Sequence, residues 1–404
     1  MISVEEALQR ILAALTPLPA EPVPVGEALG RVLAEDLVAR ATHPPVDVSA
    51  MDGYAVRAAD VENTPVRLKL VGQAPAGGTM PPPLRPGETV RIFTGGPVPA
   101  GADSIVIQEN TEPAGDRVLV KETVARGRHI RAAGQDFTAG DIKLRAGRLL
   151  TARDIGLAAA MDHPTLPLRR RPRIAILSTG DELVPPGEPR RPTDIVSSNG
   201  FALAAFCRAL GAAPIDLGIA RDDRAALDRA IAAAEGADML VTSGGASVGE
   251  HDLVKGALER RGMALDFWKI AMRPGKPLMF GKLGEMAVLG LPGNPVSGLV
   301  CATIFLRPAI GRLLGMASGA DATEPAFLGV DLPANDARQD YLRSRLERDE
   351  AGRWIATPFQ KQDSAMLSFF TAADGLVIRP PHAAPAPKGA AVRVLRLAGG
   401  VLAI

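Results

Sequence analysis

Apolar residues Val4, Ala7, Leu8, Ile11, Leu12 and Leu15 recur at spacings of three and four, which is one face of a helix, and Pro17 stops it. Ser3 and Glu6 form a capping box at its start. From about 46 to 145 the period shortens to β-type runs at 66–70, 90–93, 105–107 and 118–120, separated by Gly/Pro clusters at 74–78 and 81–83. That pattern predicts a small β-rich domain with long loops. Thr151 and Asp154 then open a short helix through Ala160. Beyond 172 strands and helices alternate. Strands are expected at 174–178, 215–218, 239–242 and 286–289. Helices are expected at 199–210, at 224–234 with Asp222 or Asp223 as N-cap, near 253–260, and from 296 to about 314. Such alternation predicts a mostly parallel α/β sheet covered on both faces. The last 80 or so residues return to short strands at 354–356, 376–378 and 392–397, which reads as a small barrel or sandwich.

At 404 residues the chain has room for two to four domains. Its net charge of +1 and aromatic content of 4% exclude a nucleic-acid footprint and a pull toward anionic membrane. The N-terminus is acidic where a signal peptide is basic, and no apolar run reaches about 18 residues, so a cytoplasmic protein without a membrane partner is expected. Cys207 and Cys301 stand apart in apolar stretches and read as core residues. Arg169, Arg170, Arg171 and Arg173 read as a solvated boundary between domains. Glycine and proline together make 77 residues, about 19% of the chain against an ordinary 12% or so. Lysine is scarce, with nine in all.

Candidate chemistry gathers where strands of such a sheet end, because ligands bind at their carboxyl edge. Three loops stand out: Ser178-Thr179-Gly180-Asp181-Glu182, Ser243-Gly244-Gly245-Ala246-Ser247 and Leu291-Pro292-Gly293-Asn294-Pro295. Glycines allow close backbone approach, hydroxyls donate, and a helix N-terminus favours an anion, so the set points to a phosphate-bearing ligand. No P-loop and no G-x-G-x-x-G between first strand and helix is present, which disfavours an ordinary NTPase or dinucleotide enzyme. Carboxylates at Glu182, Asp222 and Asp252, with Asp52 and Asp136 in the β-rich region, suit Mg²⁺ shared with substrate phosphates. Lys269, Arg273 and Lys276 fall within eight residues after an apolar strand and suit a multiply charged oxyanion.

Six motifs occur in order: Ser49-Ala-Met-Asp-Gly-Tyr-Ala55, Ile92-Phe-Thr-Gly-Gly96, Ser178-Thr-Gly-Asp-Glu182, Ser243-Gly-Gly-Ala-Ser-Val-Gly-Glu250, Arg273-Pro-Gly-Lys-Pro277 and Leu291-Pro-Gly-Asn-Pro-Val-Ser297. Together they resemble the molybdopterin molybdenumtransferase family (MoeA and the E domain of gephyrin) over essentially the whole chain. The resemblance implies four domains: an elongated discontinuous one from 1–45 and 146–171, a β-rich insertion at 46–145, an α/β molybdopterin-binding domain at 172–318 and a C-terminal β-barrel at 319–404. It implies a homodimer that inserts molybdate into adenylylated molybdopterin with Mg²⁺-dependent release of AMP. Asp52, Thr94, Gly95 and Asp136 would face the α/β domain of the partner. Glu182, Asp222, Asp252, Lys269 and Lys276 would line the α/β side, with Arg343 and Ser364 reaching the same cleft. Asp52, Asp136, Glu182 and Asp252 are the expected catalytic set, and Asp52, Glu182 and Asp252 the expected metal ligands. Arg273 stands where many relatives carry lysine, and Asp363-Ser364-Ala365 where Gly-Ser-His is more usual. The alternatives are a molybdopterin adenylyltransferase, which shares the α/β module, and a non-catalytic dimeric scaffold.

Overall fold

A computed structural model describes residues 1–244, 253–317 and 323–397. Its centre is a six-stranded sheet with the strand order Ala213–Ala220, Arg173–Thr179, Met239–Ser243, Met286–Leu291, Met279–Leu283 and Ala264–Trp268. The first four strands are parallel and the last two antiparallel. The chain leaves Arg173–Thr179 for one side of the sheet and later returns to the other, so the order reverses at that strand. Its carboxyl end is therefore the crevice where a doubly wound sheet takes a ligand.

Both faces are covered, as the continuous apolar runs require. Leu227, Ile231, Val254 and Leu258 of the helices Arg224–Ala233 and Leu253–Arg260 pack on Ala175, Leu177 and Leu240. Leu203 and Phe206 of Asn199–Ala209, with Val296, Val300 and Phe305, pack on Ile174, Ile176 and Val241. The apolar stripe of the first helix, Val4–Ala13, also enters this second core through Val4, Ala7 and Ile11. Expected with the elongated unit, the helix instead packs on the α/β domain. The helix Pro295–Leu313 is long and apolar enough to cross a membrane by length and composition, but it is mostly buried in this core. Its middle turn, Ala302–Leu306, is π-helical. Pro308 has no N–H to donate and would press on the carbonyl of Ile304 in a regular helix, which accounts for the wider turn.

The strands Ala20–Pro24 and Thr165–Arg169 pair antiparallel, as do Leu37–Val38 and Ile142–Leu144, around a core of Leu33, Leu37, Leu150 and Leu168. Between them lies a mixed six-stranded sheet, ordered Ser104–Ile107, Gly53–Val56, Glu88–Ile92, Val66–Ala74, Arg117–Val120 and Thr111–Ala114. The C-terminal strands close into a barrel. Gln339–Arg348 pairs with Trp354–Pro358 and with Gly375–Arg379, and the circuit runs on through Glu324–Leu328 and Ala391–Arg396. Met272–Arg273 adds to it in parallel with Gln339 and Asp340, tying the α/β domain to the barrel.

Candidate functional site

At the carboxyl ends of Arg173–Thr179, Met239–Ser243 and Met286–Leu291 lies a cleft of about 560 Å³. Ser178, Thr179 and Gly180 come from the first strand end, Ser243 and Gly244 from the second, and Pro292, Gly293, Asn294 and Pro295 from the third. The three turns are packed backbone to backbone. A Cβ on Gly293 would lie 3.4 Å from the Gly244 Cα, and the Gly244 N–H donates to Leu291 O at 3.3 Å. Gly244 has φ +93°, and a Cβ there would sit 2.5 Å from Thr179 O. At Gly180, φ is +147° and a Cβ would meet the Glu182 carboxylate at 2.7 Å. Only glycine meets both demands without strain.

Two helices start at this cleft. Asn294 stands before Pro295–Cys301 with Pro295 in the first turn, and Ser198 stands before Asn199–Ala209. The N–H groups of Asn199, Gly200 and Phe201 have no partner among the described residues. At Pro295–Cys301, by contrast, Pro295 has no N–H, Val296 and Gly298 are already bonded and, among the described residues, Ser297 alone is free, so the first helix start makes the cleft most receptive to an anion. Asn199 was not among the residues expected from sequence, yet it joins two of the turns. Its Nδ2 donates to Ser243 Oγ at 2.8 Å and to Gly293 O at 2.7 Å. The first connection folds into a short arm, with Leu183–Val184 parallel to Ile195–Val196, and this brings Asn199 back over the strand ends. Its only sequence signal is a polar residue at a helix start. Asn199→Ala should cost about 1 kcal/mol of unfolding free energy, because the buried Ser243 hydroxyl and the exposed Gly293 carbonyl lose their common donor. Denaturant titration checks this; a change below about 0.5 kcal/mol would contradict the bridge.

Acidic groups stand at the rim. Glu182 and Asp222 line the cleft, and Asp181 accepts from the Asp222 N–H at 3.1 Å. The helix beginning at Arg224 is capped by Asp223, whose carboxylate accepts from Ala226 N at 2.8 Å, so Asp222 is left for the cleft. The Asp222 carboxyl is pushed above its usual range, by partial burial first and then by the charges of Asp181 and Glu182. A divalent cation would relieve that repulsion, and this donor set of hard oxygens fits Mg²⁺. Among the described residues no three such side chains close around a point, so substrate oxygens and water would complete the shell. Gly245, Ser247 and Asp252 lie outside the described residues.

The C-terminal barrel reaches the cleft through one loop. Asn294 Nδ2 donates to Ser364 Oγ at 2.9 Å, Val296 N donates to Ser364 O at 3.1 Å, and Ala365 lines the cleft. Arg343 does not enter it. Its side chain is 1% exposed and holds the loop from beneath, Nε donating to Gln362 Oε1 at 3.2 Å and Nη1 to Asp363 O at 2.8 Å.

The cationic segment divides. Lys269 is half-buried with its Nζ 4.0 Å above the Trp268 ring centroid, and exposed Lys276 adjoins Pro277, which lines the cleft. Arg273, expected among the anion-binding residues, instead bonds to Asp336, Asp340 and Asn335. Because Met272–Arg273 is stitched onto the barrel, that guanidinium is spent on an interdomain ion pair.

Asp52, Thr94, Gly95 and Asp136 lie elsewhere in the chain. Asp52 accepts from Thr94 N at 2.7 Å and Thr94 Oγ1 at 2.9 Å, and its carboxyl is held below the usual range chiefly by that backbone N–H. Gly95 follows with φ +80°, its N–H donating to Ser49 O. Asp136 is exposed, and its carbonyl accepts from Lys143 Nζ at 3.2 Å. None of them lines the cleft of its own chain.

Three family profiles match the sequence in order: the MoeA N-terminal region (domains I and II) over 2–161, a probable molybdopterin binding domain over 175–312, and the MoeA C-terminal region (domain IV) over 325–397. The chain is 37% identical to molybdopterin molybdenumtransferase 2 of Mycobacterium tuberculosis, covering 92% of this chain and 94% of that protein. It is 40% identical to the molybdopterin molybdenumtransferase of a Nostoc species, over 80% of this chain and 76% of the relative. A solved molybdopterin biosynthesis MoeA protein of Pyrococcus horikosii superposes with a TM-score of 0.87 at 32% identity, over 99% of this chain and 100% of that one.

Proposed function

The chain belongs to the molybdopterin molybdenumtransferase family, and from that premise we propose that it is a transferase of molybdenum cofactor biosynthesis that inserts molybdate into adenylylated molybdopterin and releases AMP. The observation that carries this reading is the cleft, where two helix N-termini and three glycine-bearing turns face one volume rimmed by carboxylates.

The substrate joins molybdopterin phosphate to AMP through a phosphoanhydride, and molybdate is a dianion. Main-chain N–H groups of Asn199, Gly200 and Phe201, with that of Ser297, bind the phosphate oxygens, and Gly180, Gly244 and Gly293 allow close approach. Ser178, Thr179 and Ser243 offer hydroxyls at the floor. Lys269 and Lys276 supply positive charge for the oxyanion. The two dithiolene sulfurs bind molybdenum, and one molybdate oxygen leaves as water with their two protons. Water displaces AMP from the molybdopterin phosphorus as the phosphoanhydride P–O bond breaks, and AMP leaves as an oxyanion that the Asn199–Phe201 N–H groups stabilise. When bound, Mg²⁺ supplies Lewis-acid polarisation of the phosphoanhydride, held by Glu182 and Asp222 of the cleft together with Asp52 and Asp252. Asp52, Thr94 and Asp136 reach the reaction from a second copy of the chain, in a homodimer. Sedimentation equilibrium should return about twice the 42.2 kDa chain mass.

Purified protein mixed with adenylylated molybdopterin, molybdate and Mg²⁺ should release AMP, and withholding molybdate or chelating Mg²⁺ should stop it. ATP consumption with free molybdopterin would instead mark an adenylyltransferase. Neither activity would mark a scaffold.

A further inference from the structure

Beside the anion cleft is a second cavity of about 370 Å³, and the two share Ser178, Gly180, Leu183 and Ser197 in their walls. Its size falls in the range of small-molecule sites, roughly 300–1,000 Å³. The chemistry of its walls differs from that of the cleft. Ile219 is apolar, Asp181 and Asp216 are acidic, Arg221 is the one cation, and Phe201 stands on the first turn of Asn199–Ala209. Phe201 is 59% exposed in a chain where aromatics make up only 4%. A ring that could have been buried is left facing an open cavity. One Asp216 oxygen accepts from Gly218 N at 2.9 Å, and the other has no partner among the described residues. Two carboxylates against one guanidinium leave the lobe net acidic beside an aromatic face, a poorer place for a phosphate than the helix start in the cleft. They suit a flat ring that donates hydrogen bonds through an amino group.

Resting on the reading that the cleft holds the phosphoanhydride, we propose that this side lobe receives an aminated bicyclic heterocycle at one end of the substrate, stacked on Phe201 with its amino group donating to Asp216. Both ends of adenylylated molybdopterin carry such a ring, a purine and a pterin. The shared wall lets one molecule lie in both cavities at once.

Calorimetric titration of AMP, of a free pterin and of inorganic pyrophosphate into wild type, Phe201→Ala, Phe201→Tyr and Asp216→Asn tests this. Phe201→Ala should weaken one ring ligand by about tenfold, Phe201→Tyr should restore it, and pyrophosphate should bind wild type and both Phe201 variants equally and Asp216→Asn no more weakly. Asp216→Asn should weaken the same ring ligand. A loss confined to AMP puts the purine in the lobe, and one confined to the pterin puts the pterin there. Unchanged affinity for both rings in Phe201→Ala, or a parallel loss of pyrophosphate, overturns the lobe. AMP release by wild type, measured alongside, keeps the readings apart: turnover with unchanged ring affinities sinks the lobe alone, and no turnover with the expected affinity pattern sinks the transfer reaction alone.

Discussion

Asp52→Ala should leave a folded protein whose molybdate-dependent AMP release falls by a factor on the order of 1,000, as when a carboxylate that positions charge is removed from an active site. The side chain has little structural work. Among the described residues its side chain bonds only to Thr94, N at 2.7 Å and Oγ1 at 2.9 Å, and losing these bonds costs about 1 kcal/mol. Those donors hold the carboxyl below its ordinary range, so it is built to stay an anion and not to donate a proton. Asp52→Asn, which can keep the turn but not the charge, should therefore be as inactive as the alanine variant. The location of Asp52 sharpens the test, since the cleft of its own chain is lined by Glu182 and lacks Asp52. If a partner supplies it, mixing inactive Asp52→Ala with inactive Glu182→Ala restores one intact site in each mixed dimer, or about a quarter of wild-type activity after random exchange. A mixture as inactive as its parts would remove the two-chain site.

Most of the α/β domain was legible because its strands are continuous apolar runs between turn residues, and the helix Arg224–Ala233 carries its cap in the sequence. The cleft was legible for the same reason: each glycine-bearing loop follows such a run directly. What stayed hidden depends on contacts between distant segments. Gln339–Arg348 was missed as a strand because its buried positions on both faces include polar residues, Asp340 and Ser344 on one and Arg343 on the other, which break the alternation. The bonds of Arg273 to Asp336 and Asp340 stayed hidden because nothing local reveals that residues 272–273 join the barrel. Asn199 was missed because the arm that returns it to the strand ends has no strong period. Either Asp222 or Asp223 could cap a helix by sequence, and only the Ala226 N–H decides between them.

Gly244→Ala should have the second large effect, and it separates catalysis from stability. A residue with a Cβ pays about 1–2 kcal/mol at a left-handed backbone such as φ +93°. The added carbon would also sit 2.5 Å from Thr179 O and 3.0 Å from Thr179 Oγ1, so the turn or the end of Arg173–Thr179 must shift. Neither can move alone. Gly244 touches Gly293 on one side, and Asn199 ties Ser243 to Gly293 on the other, so the shift spreads through all three turns. The sheet beneath is held by core residues such as Ile176, Val241 and Leu289, which the substitution does not reach. Stability should fall by about 2–3 kcal/mol, the strain plus a modest overpacking cost. AMP release should fall at least about 100-fold, because a displacement near 1 Å is enough to misalign a bound reactant. Pyrophosphate affinity, measured by calorimetry, should drop with it, since the shift passes through Ser243 and Gly293 to Asn199, at the helix start assigned to phosphate. An alanine variant that unfolds as expected but binds pyrophosphate normally would show that the Gly244 turn does not contact the anion.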